Sequence, residues 1–396
     1  MQNLEINRPN RILLLVTTLG VGGGAENQVF RMAIELKARG WDVAVVSMIT
    51  PYACVSELEQ HNVAVHSLYM KPRVPDFRAV LRLRSVIRSF QPDVVHCHMF
   101  HANILGRITR LFCRMPVLIC TAHNIKEASR RGGPTWNKEL LYRVTDCLAD
   151  QTTIICRAAF DRYLRVGAVP AKKLRMIPNG IDTEFFSRSE ERREQARKAL
   201  GIGSEFVWLA VGRLVKQKDY PTLFRALEMM ERRGTVVLIA GSGPLEQELR
   251  EECARRGLSG CVRFCGTRND ILSLYDAADA FVMSSEHEGM PVALLEAASV
   301  GLPAVVTNVG GNAEIVTDNV TGYLVPPRAP AQLAAALQRL MDASPDSRRA
   351  MGYAARQNCC EQYGIAAIME KWLDLYAAMS AVHIQPRGES LVATVK

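Results

Sequence analysis

Short apolar runs that break at glycine-bearing turns and pass directly into helical stretches recur along this whole chain, and they restrict its fold more than any other feature. Residues 11–18 (Arg-Ile-Leu-Leu-Leu-Val-Thr-Thr) form one run, followed by Gly20-Val21-Gly22-Gly23-Gly24-Ala25-Glu26 and a helix over residues 27–39 that stops at Gly40. Runs at 41–48, 63–69, 93–98, 117–123, 152–156 and 174–177 alternate with helical stretches at 56–60, 76–90, 102–113 and 136–150. Strands without polar alternation belong in a parallel sheet covered on both faces. Regular β/α alternation therefore predicts a doubly wound α/β domain.

The same grammar then restarts. Runs at 206–211, 236–240, 262–265, 280–283, 304–307 and 322–325 are separated by helical stretches that begin at Tyr220, after Gly241-Ser242-Gly243-Pro244, at Ile271 and after the loop 284–290. At 396 residues the chain exceeds one ordinary core. Two doubly wound parallel-sheet domains are expected, residues 1–186 and 187–364, with a hinge in the charged run 187–198 just after Pro178-Asn179-Gly180-Ile181-Asp182. An amphipathic stretch follows at 365–379, and residues 381–396 read as a flexible tail.

Hydrophobic content of 48% and charged content of 22% are those of a globular protein. No run reaches the roughly 18 apolar residues a bilayer span needs, and residues 1–11 are polar where a secretion signal is apolar. A cytoplasmic location is expected. Eleven cysteines, an odd number with Cys97, Cys120, Cys261 and Cys265 inside apolar runs, read as reduced thiols rather than a disulfide framework. The net charge of +9 is uneven: residues 71–175 hold 20 Lys/Arg and 7 Asp/Glu, so that segment carries +13 and the remainder −4. No nucleic-acid-reading motif accompanies the basic segment, and nucleic acid is not expected as a partner. A solvated basic face, or peripheral attraction to an anionic membrane or a lipid-diphosphate acceptor, remains.

The chemistry concentrates at the turns. After the apolar run 280–283 comes Ser284 to Met290, then Pro291 at the expected first helical position, then Val292-Ala293-Leu294-Leu295-Glu296. Glu288 in the loop and Glu296 in the helix are eight residues apart, flanking a helix start whose amides suit an anion. That arrangement fits a phosphate joined to hydroxyl-rich groups, as in a nucleotide-sugar. Gly212-Arg213-Leu214-Val215-Lys216-Gln217-Lys218 sets two cations beyond another strand, one able to fork onto phosphate oxygens and one a point charge. Gly23 and Gly24 bring bare backbone to a helix start. They do not complete Gly-x-Gly-x-x-Gly, since Gln28 stands where a further glycine would be, and no acid ends the second strand to hold an NAD ribose. His123 ends a buried run. His96, His98 and His101 raise the question of metal, but no carboxylate or cysteine pair stands at ligand spacing and none is expected.

Together, Glu288-x7-Glu296, Gly212-Arg213-x4-Lys218 and the strand-end His123 resemble the retaining glycosyltransferases of the GT-B fold, most of all family 4 (group 1), of the bacterial surface-polysaccharide type. The resemblance runs from Gly22 to about Met379. It implies two Rossmann-like domains facing a cleft, acceptor side first, with the helix at about 365–380 crossing back onto the first domain. Carried over, Arg213 and Lys218 hold the diphosphate leaving group, doing the work of a metal; Glu288, with the following Gly289, Met290 and Pro291, contacts the donor sugar, and Glu296 takes the ribose hydroxyls. Gly23, Gly24, Gly212, Gly241, Gly243 and Phe264 are implied on the donor side, His123 beside the donor sugar, and Glu26, His96, His98 and Asn124 toward the acceptor. Asn308-Val309-Gly310-Gly311 with Glu314 matches the family's closing glycine turn.

The implied activity moves a sugar from a nucleotide-diphosphate sugar, UDP-linked by preference or GDP-linked, to a hydroxyl of a glycan or lipid-linked glycan. No metal or cofactor is implied, and the implied location is the cytoplasm, peripheral on the inner membrane. A GT-B sugar-nucleotide epimerase shares the fold but calls for carboxylates arranged for proton abstraction. A non-catalytic member of an assembly complex would have lost Arg213, Lys218 or Glu288, and all three are present.

Overall fold

The computed structural model describes residues 9–20, 23–72, 74–125, 136–231 and 234–384. Gly22 and the tail from 385 onward lie outside the described residues, while 381–384 continue the last helix. The chain divides into two compact units, one of residues up to 154 with 160–177 and the segment from 369 on, the other of 155–159 and 178–368.

The first unit holds strands β1 (Arg11–Val16), β2 (Asp42–Ile49), β3 (Ala64–Met70), β4 (Val94–His98), β5 (Val117–Ala122), β6 (Gln151–Ile154) and β7 (Leu174–Met176). They form one parallel sheet in the order β3-β2-β1-β4-β5-β6-β7. Helices α1 (Gly24–Ala38), α2 (Val55–Gln60), α3 (Arg78–Phe90), α4 (Phe100–Thr109), α5 (Trp136–Thr145) and α6 (Arg157–Arg165) connect them. Central β1 is buried from Ile12 to Val16. Leu13 and Leu15 point into a core shared with Ala79, Leu83 and Ile87 of α3 and Ala102 and Leu105 of α4. By strand alternation, His96 and His98 of β4 face the opposite side from Val95 and Cys97, which belong to that core.

The second unit repeats the pattern. Helix α7 (Glu190–Ala199) precedes β8 (Phe206–Val211), α8 (Tyr220–Met229), β9 (Thr235–Ala240), α9 (Glu246–Arg255), β10 (Val262–Gly266), α10 (Ile271–Ala277) and β11 (Ala280–Met283). Then come α11 (Val292–Val300), β12 (Ala304–Thr307), α12 (Asn312–Ile315), β13 (Gly322–Val325), α13 (Pro330–Asp342) and α14 (Pro345–Tyr363), and the chain ends in α15 (Ile365–Ile384), which belongs to the first unit from residue 369 on. The strand order is β10-β9-β8-β11-β12-β13, over a core built on Trp208, Phe224, Ile239 and Leu337. In both sheets the order reverses beside the first strand, between β1 and β4 and between β8 and β11. Parallel sheets offer ligands a crevice at that switch point, outside the carboxyl ends of the strands.

All but the first three residues of the run 187–198, expected to hold a hinge at a 186/187 boundary, lie in helix α7, and the division between units falls after Ile177. Ser189 caps α7 by accepting from the Arg192 amide, with Glu190 and Glu191 in the first turn and Arg197 and Lys198 in the last, matched to the helix dipole. Its charges are pinned: Arg192 Nε donates to the fully buried Asp276 at 2.6 Å, and Arg193 to Asp279 at 2.6 Å. Asp276 also accepts the Ser189 amide at 3.0 Å. Asp276→Ala strands these donors; with Arg192 partly solvated, a loss of about 2–3 kcal/mol is expected. A thermal midpoint several degrees lower in calorimetry is the expected reading, and an unchanged one would show the pairs to be idle.

Candidate active site

In the second unit the carboxyl ends of β8 and β11 bring two distant stretches together. Lys218 follows β8 and Glu288 follows β11, and Lys218 Nζ lies 2.7 Å from Glu288 Oε1, with both side chains largely withdrawn from water. The Lys218 loop is held by Ser284, whose hydroxyl donates to the carbonyls of Lys218 and Asp219 at 3.0 Å. The Glu286 amide donates to the Gln217 carbonyl at 2.9 Å, and the Gln217 side chain donates back to the His287 carbonyl at 2.8 Å. Asp219 adopts φ 46° and caps α8 through the Thr222 amide. Exposed Arg213 makes no ion pair among the described residues.

Around this pair the backbone comes too close for side chains. A Cβ on Gly241 (φ 130°) would fall 2.2 Å from the Gly212 carbonyl oxygen, and one on Gly243 would fall 2.4 Å from that of Leu214. On the other flank a Cβ on Gly310 (φ 57°) would fall 1.9 Å from the Glu288 carbonyl oxygen. The Gly311 amide donates to the Gly289 carbonyl at 2.7 Å. Asn179 fixes the next residue, its side-chain amide donating to the Met290 carbonyl at 3.0 Å. Bare backbone next to a cation-carboxylate pair is a surface that phosphate and hydroxyl groups can approach.

Pro291 is the N-cap of α11 (φ −73°, ψ 117°) rather than its first helical residue. Its extended ψ turns its carbonyl into the helix, where it accepts from the Leu294 and Leu295 amides at 3.1 and 3.3 Å. Glu296 lies one turn into α11 and accepts the Tyr275 hydroxyl at 2.7 Å. Tyr275 is buried, and burial followed by the Glu296 charge holds its hydroxyl well above its usual pKa, so it remains a donor. Phe264 stands on edge strand β10, half-buried with the Arg250 guanidinium 4.6 Å over its ring.

In the first unit Gly23 caps α1, and the Glu26 carboxylate folds back over it, accepting the Thr18 hydroxyl. Strand register aligns His98 with Val16 and Thr121. His123, just past β5, places Nε2 3.1 Å from His98 Nδ1, while the adjacent Asn124 is exposed. Burial drives the pKa of His96 and His98 well down and that of His123 to about 4. All three rings are therefore neutral at pH 7. In a neutral pair only one of the facing nitrogens carries the proton, so His98 Nε2 and His123 Nδ1, both buried without a partner, must be one donor and one acceptor.

His96 corrects an expectation. It is fully enclosed, Nδ1 2.8 Å from the Tyr376 hydroxyl and Nε2 2.6 Å from Thr121 Oγ1, with the Trp372 ring 4.7 Å away. It ties β4 to α15 and offers no atom to an acceptor. No cluster of three or more metal-ligating side chains occurs among the described residues. Asn179, Tyr275 and Ser284 carried no signal in their own motifs; only the pairing of sheet ends across distant sequence reveals them.

Residues 22–185 match the family described as Glycosyltransferase Family 4, and residues 192–358 match Glycosyl transferases group 1. The chain is 31% identical over 264 residues to the UDP-Gal:alpha-D-GlcNAc-diphosphoundecaprenol alpha-1,3-galactosyltransferase of Escherichia coli, a match spanning 64% of this chain and 67% of that enzyme. It is 31% identical over 388 residues to the D-inositol 3-phosphate glycosyltransferase of Corynebacterium diphtheriae, covering 90% of each. Its fold is similar to that of Anabaena Alr3699/HepE in complex with UDP-glucose, with a TM-score of 0.80 at 22% identity, over 93% of this chain and 99% of that one.

The buried imidazoles set a pH dependence. The unfolded chain takes up a proton on histidine near pH 6.5, the folded His123 only near 4. Between those values the unfolded state binds more protons, so stability falls as pH falls. Thermal midpoints measured from pH 7 to 4.5 should decline, and His123→Asn should flatten the decline by up to about 1.4 kcal/mol per pH unit. An equally steep variant would show that His123 is protonated in the folded chain.

Proposed function

This chain belongs to the GT-B glycosyltransferases of family 4, the group 1 glycosyltransferases, and we propose that it is a metal-independent, retaining transferase that moves a sugar from a nucleotide-diphosphate sugar to a hydroxyl of a lipid-linked glycan. The Lys218–Glu288 contact carries the reading. Two stretches 70 residues apart, each of which the family uses on the donor, meet at the switch point of one sheet. In this proposal the donor diphosphate lies over the glycine turns of the second unit. Arg213 and Lys218 offset the charge that grows on the departing phosphate. Glu288, with the backbone of Gly289 to Pro291, orients the sugar, and Glu296, held by Tyr275, accepts from the ribose hydroxyls.

The bond from the anomeric carbon to the leaving oxygen breaks as the acceptor oxygen attacks on the same face, and the departing phosphate takes the hydroxyl proton. His123, neutral at pH 7, is then a hydrogen-bonding group for the sugar rather than a cation. A UDP-sugar is favoured because the E. coli relative is named for UDP-Gal and the Anabaena neighbour is bound to UDP-glucose. The lipid-diphosphate acceptor follows the E. coli relative's name, and with it a role in surface polysaccharide synthesis, peripheral at the cytoplasmic face of the inner membrane. The helices themselves are compatible with that: none described is long and apolar enough to cross a membrane.

Thermal-shift screening against UDP-, GDP- and dTDP-sugars identifies the donor, and turnover is read as nucleotide release with acceptor present. Arg213→Ala is the clean variant, since the side chain is exposed and unpaired among the described residues. Its midpoint should stay unchanged while turnover falls about 10²-fold or more, as it should for Lys218→Ala; near-normal turnover in both would contradict the leaving-group role. Turnover should also persist in excess chelator, and its abolition with restoration by a divalent cation would place a metal in the reaction.

A further inference from the structure

The stretch that carries Glu288 is tethered along its length, and one tether comes from a residue that none of the donor motifs contains. Residues 284–291 join β11 to α11. Ser284 and His287 are bound to the Lys218 loop, and Gly289 and Met290 to Gly311 and Asn179. Glu286 is held twice. Its amide donates to the Gln217 carbonyl at 2.9 Å. Its carboxylate receives the Arg328 guanidinium as a fork, Nε on Oε1 and Nη2 on Oε2, each at 2.8 Å. With the strand order β11-β12-β13, that fork reaches from the end of β13 past β12 to the loop after β11.

Arg328 is set in place by its own turn. The passage from β13 into α13 reads Pro326-Pro327-Arg328-Ala329-Pro330, where the proline rings fix φ before and after the arginine. Arg328 itself sits at φ 58°, a left-handed backbone uncommon outside glycine. Strain of that kind persists where the surrounding structure over-determines it, and it gathers at functional sites. The fork is the chief cause that holds the Glu286 carboxyl below the usual carboxylate range. Both Glu286 and Arg328 also interact electrostatically with Asp219, the neighbour of Lys218.

We infer that Arg328 is a positioning residue for donor binding, acting through Glu286 to hold the Glu288 loop in its receiving conformation. The inference rests on the preceding reading, in which Glu288 orients the donor sugar, and adds to it a residue outside the donor motifs. Exposed ion pairs contribute little to global stability, and these side chains are 70% and 28% exposed. The effect is local instead. A loop already ordered when the ligand arrives lowers the ordering cost of binding. A planar fork fixes an angle as well as a distance, which the point charge of a lysine does not.

The test is hydrogen exchange of the full chain, read by mass spectrometry on fragments spanning residues 284–290, together with UDP-glucose affinity by calorimetry. In the free protein R328A should exchange the Glu286 amide and its neighbours about fivefold faster, the upper end for an exposed pair. Its affinity for UDP-glucose should fall about fivefold for the same reason. In turnover the donor KM should rise to match, with kcat within about twofold, because the bound donor restores the loop. E286A should equal R328A in both measurements, and the double variant should be no worse than either single one. R328K should stay at least about threefold weaker than the wild type, having the charge without the fork. All of them should keep the wild-type thermal midpoint. Unchanged exchange in R328A would overturn the inference, as would unchanged affinity where the wild type binds. A further loss on adding R328A to E286A would overturn it too, since Arg328 would then act on the donor directly. If the wild type binds no UDP-glucose, the UDP-donor reading falls, and exchange alone decides whether the fork holds the loop.

Discussion

A half-buried cation and a buried carboxylate in contact, Lys218 on Glu288, set the terms for the second unit. Neither charge is easily withdrawn from water alone, and together they are held only because the surrounding backbone is fixed. Ser284 binds the carbonyls behind Lys218, and the glycine turn at 310–311 lies against the carbonyls of Glu288 and Gly289. The pair stands where the sheet order reverses, and the loops after β8 and β11 are tied to each other there through Ser284, Glu286 and Gln217. In the proposed reaction an arriving diphosphate would meet a lysine already in place, and a sugar would meet a carboxylate already oriented. Preorganisation of this kind is where enzymes find most of their electrostatic advantage.

The first unit handles titratable groups in the opposite way. His96, His98 and His123 are kept neutral by burial rather than charged by partners. Their hydrogen bonds run through Thr121 and Thr153 across strands and through Tyr376 to the last helix. An acid-base reading of these rings as cations at neutral pH does not survive the geometry. What remains is orientation, with one proton between His98 and His123 deciding which outer nitrogen donates.

The strand-turn-helix order, the glycine turns and the cation and carboxylate motifs were legible in the residues because each is a local pattern with a local physical cause. Apolar runs such as 12–16 and 206–211 can be little else than buried strands. Helix α7 was illegible for the converse reason. Its residues Glu-Glu-Arg-Arg-Glu-Gln-Ala-Arg-Lys-Ala show almost no apolar stripe, and it is held by ion pairs to Asp276 and Asp279 that lie more than 80 residues away. His96 misled because a histidine in the middle of a strand looks the same whether a cleft or a helix lies above it. Only the arrival of Trp372 and Tyr376 distinguishes the two. Pro291 shows the ordinary one-residue uncertainty of a helix start.

That last helix has a further consequence for how the molecule is made. The first unit's sheet is finished by residue 176, yet its His96 face waits for Trp372 and Tyr376, nearly two hundred residues later. On a ribosome the second unit can emerge whole and close while the first still lacks one wall. The part translated first is therefore completed last, and the nascent sheet must pass that interval with a histidine-lined apolar face uncovered.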